Sequence, residues 1–218
     1  IAFGAGNGSI VFNHSETGYI LSADISGAGK VVAEAGVTTL GGNNSYSGGT
    51  TISSGTLKGT SKSFGSGGIA NDAQLVVDGA GTISNGISGT GTFEKTGDGN
   101  LVLTGNSTYT GTTAVSSGKL SVNGSLASPV SVGTGATLGG SGTIGGLIVG
   151  SGGTLAPGNS IGTLASTGSA TFASGSRYEV EIDAAGNSDR LAVTGTITID
   201  NDVSLVVTSL ANQTAYSL

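Results

Sequence analysis

The sequence predicts an all-β fold, a parallel β-helix, from three observations: 43 of its 218 residues are glycine, its apolar residues alternate in short runs, and one long motif occurs twice. Glycine inside a strand or helix costs roughly 0.5 to 1 kcal/mol relative to alanine, so most of it belongs in turns, and many tight turns imply many short strands. With 2 Pro and with Val, Ile or Leu in nearly every block of ten, the chain has the apolar content for a core rather than the composition of a disordered segment. A chain of this length buries about 70% of its extended surface on folding, enough for one long unit.

The repeat comes first. Ile25 to Leu57 reads ISGAGKVVAEAGVTTLGGNNSYSGGTTISSGTL, and Ile87 to Leu120 reads ISGTGTFEKTGDGNLVLTGNSTYTGTTAVSSGKL. Tyr46 matches Tyr109, Ile52 matches Val115 and Leu57 matches Leu120, each pair 63 residues apart. Similarity at a fixed offset means stacked units, and the offset divides into three coils of about 21 residues, each one rung of a solenoid.

The strands follow from period two. Leu101 and Leu103 face one way and Val102 the other, as do Leu120 and Val122 around Ser121. Between such runs sit SSG, TGNS, GSGG and VNGS, whose Gly and Asn accept positive φ and whose Ser and Asn bond their own backbone. Helical periodicity is nearly absent, so the crossover helices of a doubly wound sheet have no source. A propeller or a sandwich of the same short strands is the alternative. In the β-helix each strand pairs with its equivalent one rung on, about 4.8 Å away, so inward aliphatics stack in columns and about ten rungs make a rod about 50 Å long.

The last third reads differently. In RYEVEID, from Arg177, Tyr178, Val180 and Ile182 share one face and Glu179, Glu181 and Asp183 the other. With Leu191, Val193, Ile197, Ile199, Val203, Leu205 and Val207 they predict dense packing, while the rungs upstream are diluted by Gly and Ser. The organisation expected is residues 1–145, the repeat-bearing rungs, and residues 146–218, a C-terminal module continuous with them, most stable and first to fold.

Charge excludes partners. A net charge of −6 and 7 basic residues spread along the chain argue against nucleic acid and anionic lipid, both of which need clustered Lys and Arg. No run of 18 apolar residues is present to span a bilayer as a helix, and Ile1 onward lacks the regions of a signal peptide, so the chain reads as a cut fragment. The absence of Cys fits a protein that crosses an oxidising periplasm unfolded.

These residues carry a resemblance. FNHSETGYILSADISGAG, LGGNNSYSGGTTISSGTL and LTGNSTYTGTTAVSSGKL resemble the passenger repeats of Gram-negative autotransporters. TLAPGNSIGTL (Thr154 to Leu164) and YEVEIDAAGNSDRLAVTG (Tyr178 to Gly195) are similar to the end of such passengers, just before the translocating barrel. The resemblance implies a right-handed, single-stranded β-helix, export through the outer membrane to the cell surface or medium, and a C-terminal module that assists folding. It also implies an outer-membrane β-barrel elsewhere in the full protein, and as partners host cell-surface or matrix molecules or sister passengers. It supplies no activity of its own.

Candidate chemistry is sparse. Gly158-Asn159-Ser160-Ile161-Gly162 fits G-x-S-x-G, but no helix pattern follows and the only His, His14, lies beyond both repeats, so Ser160 is expected in a turn. His14 has no second His and no Cys to complete a transition-metal site. Asp200, Asn201 and Asp202 read as a turn, and the calcium-binding GGxGxD repeat is absent. Gly27-Ala28-Gly29-Lys30 lacks the earlier Gly and the following Ser or Thr of a phosphate loop. Glu179 and Glu181 share an outer face but lack the Asp, Arg and aromatic residues of a sugar-cleaving groove, which makes them a solvated face. The expectation is therefore a non-enzymatic chain with no cofactor, metal or catalytic residue and with binding residues undetermined.

Overall fold

A computed structural model describes residues 1–4 and 6–210. Every regular element in it is a β-strand, and every ladder between named strands is parallel. The expected β-solenoid is what forms: the chain coils so that strands of two to six residues stack on equivalents one turn later.

The second of its three faces is the longest, with ten strands from Tyr19–Leu21 to Ile197–Ile199. Nine steps at about 4.8 Å give a rod about 43 Å long. The first face runs from Ser9–Phe12 to Ile87–Ser88 and continues with Asn106–Ser107 to Arg190–Val193. Its two sheets meet where the Thr108 amide donates to the Ile87 carbonyl at 2.8 Å. The third face holds seven strands from Gly81–Ile83 to Ser204–Ser209, and in the rungs before Gly81 it is irregular chain.

The inward columns follow the alternation. Leu101, Leu120, Leu138, Leu155 and Tyr178 stack on the third face, and Leu57, Leu75 and Phe93 on the second. These aliphatics are fully buried in one continuous core. Each contributes roughly 1.5 to 3 kcal/mol by leaving water.

Two expectations are corrected. The 63-residue offset is not three whole coils. Successive first-face strands begin at Lys30, Thr50, Ile69 and Ile87, so turns here are shorter than 21 residues, and three of them stop short of Thr92. The second repeat therefore lies one face further round: Lys30–Ala33 is on the first face and its counterpart Thr92–Thr96 on the second, while Leu57 is on the second face and Leu120 on the third. The C-terminal packing is found in part, for Tyr178, Leu191, Val193 and Val203 pack against the core. Ile197, Ile199, Leu205 and Val207 point along inward columns yet are 50%, 64%, 64% and 53% exposed, because no described rung stacks on their far side.

Candidate functional site

The outward side chains of the second face form a ladder. Register places Thr39, Lys58, Val76 and Glu94 in one column, with Val37, Thr56 and Gln74 beside it. Gly41 and Thr60, just past their strands, and Asp78, the last residue of Gln74–Asp78, wall the other side, and the whole is an open trough of about 690 Å³. Val76 faces outward but is only 6% exposed, so it marks the floor.

Hydrogen bonds fix part of the lining. The Thr56 hydroxyl donates to Gln74 Oε1 at 2.9 Å, the Gln74 amide lies 3.5 Å from Glu94 Oε2, and Ser116 donates to Glu94 Oε1 at 2.7 Å. Thr96 donates to Asp78 Oδ1 at 3.0 Å. Lys58 is exposed, and its ammonium has no hydrogen-bond or ion-pair partner among the described residues. The trough thus presents one free cation, two carboxylates and a row of hydroxyls, and no imidazole, thiol or aromatic ring. That set offers hydrogen-bond donors and acceptors along one open face.

The residues weighed from sequence are not brought together. Ser160 is exposed in the corner after Thr154–Pro157, whereas His14 lies in the first rung between Ser9–Phe12 and Tyr19–Leu21. His14 Nε2 is 2.9 Å from the Thr38 hydroxyl, its ring packs 5.4 Å from that of Tyr19, and Nδ1 is buried without a partner. The Gly158 to Gly162 corner is held by Asp189, whose Oδ1 accepts from the Gly162 amide and Oδ2 from the Glu181 amide, both at 2.9 Å. This is a clamp between two rungs and lies outside the residues that sequence reasoning raised. Asp200 to Asp202 form a turn, with Asp202 at φ 61°. Lys30 opens a strand, with no helix after it to receive a phosphate. Glu179 pairs with Arg177 at 2.8 Å, both half-exposed. No group of three or more His, Cys, Asp or Glu among the described residues is placed to hold a metal ion.

Sequence reasoning missed the trough. Alternation marks Thr39, Lys58 and Glu94 as outward, but only strand register shows that they share a column.

Comparison with known proteins fits this architecture. The passenger-associated-transport-repeat family matches residues 33–58 and 93–122, the hearts of the two copies of the motif. The chain is 35% identical over 130 residues to the adhesin BmaC autotransporter of Brucella suis biovar 1 (strain 1330), a match covering 47% of the chain and 4% of that protein. The chain therefore spans a small fraction of the length of its curated relative. Two transport repeats wound into a parallel solenoid, together with that similarity, make the chain similar to part of an autotransporter passenger.

Proposed function

We propose that this segment is a non-enzymatic scaffold that presents an adhesive surface outside the cell, with the second-face trough as a point of contact. The observation that carries the reading is a rigid ladder of outward hydroxyl, amide and charged groups, joined with 35% identity to a protein described as an adhesin. A periodic polar face binds by many weak contacts repeated along the rod, and such contacts multiply into avidity. The partners are host cell-surface or matrix molecules, or sister passengers.

Beads coated with the purified segment are expected to adhere to host cells, and Lys58→Ala with Gln74→Ala to weaken that adhesion. Sedimentation velocity tests self-association of the same sample. A segment that neither binds cells nor self-associates is a spacer. In that case the second reading stands: a carrier stalk of an exported enzyme or toxin whose active domain lies upstream of this segment, favoured by the small share of the relative's length that the match covers.

Residues 146–218 are proposed to assist passenger folding. Arg177–Ile182 and Ser204–Ser209 support this, since they are the longest strands and pair over six residues. Deleting the module from the full protein is expected to reduce surface display more than deleting Ile25 to Leu57.

A further inference from the structure

The second face contains one inward position that breaks its column. Leu40, Gly59, Val77, Val115, Val132, Val149 and Phe172 follow the apolar pattern, and between Val77 and Val115 stands Lys95, 0% exposed. Its Nζ donates to the Thr96 and Gly97 carbonyls, each at 2.6 Å, and to the Ser117 carbonyl at 3.3 Å. A buried charge is tolerated only where its donors are met, and three carbonyls match the three protons of an ammonium.

The corner around it explains the geometry. The connection from second to third face is Asp78 and Gly79 in the rung before, Thr96 to Gly99 in this rung, and Ser116 to Ser117 to Gly118 in the next. A long corner sandwiched between two shorter ones cannot match every carbonyl to an amide of its neighbours. Here the Thr96 carbonyl, which also accepts from the Gly79 amide at 2.9 Å, the Gly97 carbonyl, which also accepts from the Ser117 hydroxyl at 3.3 Å, and the Ser117 carbonyl turn toward one point. Burial pulls the Lys95 ammonium below its ordinary value of 10.5, opposed by the nearby Asp78 and Asp98 carboxylates.

We infer that these three carbonyls form a binding site for a primary ammonium or similar monovalent cation, and that Lys95 is its built-in occupant and fixes the register of the mismatched corner. A slipped stack leaves the ammonium buried without carbonyls, which costs far more than the loss of an apolar contact. The aligned position in the first repeat is Ala33, buried beside the shorter corner Glu34 to Gly36, where no cation is held.

The test is chemical rescue in the whole chain. Lys95→Ala is expected to lower the melting temperature by several degrees, and ethylammonium chloride to restore at least half of that loss. Tetramethylammonium chloride at equal ionic strength restores none, since it has no N–H to donate. Lys95→Met, whose side chain fills the path, is destabilised and not rescued. Equal effects of the two salts on Lys95→Ala, or a Lys95→Met as stable as the parent, overturn the inference. If both variants fail to fold, nitrogen-15 NMR of the parent decides. A slowly exchanging lysine ammonium resonance supports the site, and exchange of every lysine at the solvent rate overturns it.

Discussion

The two copies of the transport repeat have nearly the same sequence grammar and stand on different faces of the rod. Ile52 lies on the first face and Val115 on the second, and Leu57 on the second and Leu120 on the third, yet all four are buried to 1% exposure or less. Tyr46 and Tyr109 are both fully buried, with hydroxyls bonded to Thr50 at 2.6 Å and to Thr113 at 2.5 Å. The motif therefore encodes a strand, a glycine corner and an aromatic anchor, and two different placements on a three-sided solenoid accept it. In a linear stack each rung answers only to its neighbours, so nothing requires a repeat to return to the same face.

The largest expected effects test that equivalence. Leu57→Ala and Leu120→Ala each remove a fully buried side chain, and each is expected to cost about 3 kcal/mol in denaturant unfolding. Values differing by more than about a factor of two would show that the faces are not interchangeable.

Next come the matched corner glycines. Gly55 has φ 75° and Gly118 φ 65°, and a Cβ on either would lie 2.3 Å from the Gly36 carbonyl or 2.6 Å from that of Gly97. Alanine at each is expected to cost about 1 to 2 kcal/mol for the left-handed backbone alone.

The tyrosines sharpen the comparison further. Thr113 passes the hydroxyl chain of Tyr109 on to Ser128 at 2.6 Å, whereas Thr50 bonds onward to the Phe64 carbonyl at the longer 3.3 Å. Removing the hydroxyl, as Tyr109→Phe and Tyr46→Phe, is expected to cost about 1 kcal/mol, more for Tyr109. Burial pushes the Tyr46 phenol from 10.0 to about 12, opposed by its bond to Thr50. Because the folded value is the higher one, the associated stability is full below pH 10.0 and is lost as the pH rises toward about 12. Ultraviolet phenolate titration should follow this loss, and Tyr46→Phe should flatten it.

The smallest effect is a control outside both copies. Glu179→Gln breaks a half-exposed ion pair with Arg177 and is expected to change stability by less than about 0.5 kcal/mol.

A second contrast concerns the rungs between Lys30 and Phe172 and those that follow. The composition of residues 177–207, rich in β-branched side chains, reads as the better core, but Ile197, Ile199, Leu205 and Val207 on the last described rung have no described rung stacked on their outer side. Propensity describes what a residue contributes once covered. It does not say what covers it. Limited proteolysis is accordingly expected to trim from the C-terminal side first and to leave the middle rungs.

The strands, the glycine corners and the inward aliphatics are legible along the chain, because alternation and positive φ are properties of a few adjacent residues. The sequence also made Tyr46 and Tyr109 readable as a matched pair. The exposed turn around Ser160 and its distance from His14 were legible because the two lie far apart along the chain on either side of both repeats. Strand stacking settles which face each repeat occupies, that Lys58, Val76 and Glu94 share one trough, that Asp189 clamps two rungs, and that Lys95 is inside. Each of these depends on which strands stack, and corners of different length, as after Val77, Lys95 and Val115, are absorbed without disturbing the register on either side, so a run of residues does not by itself show which face it occupies.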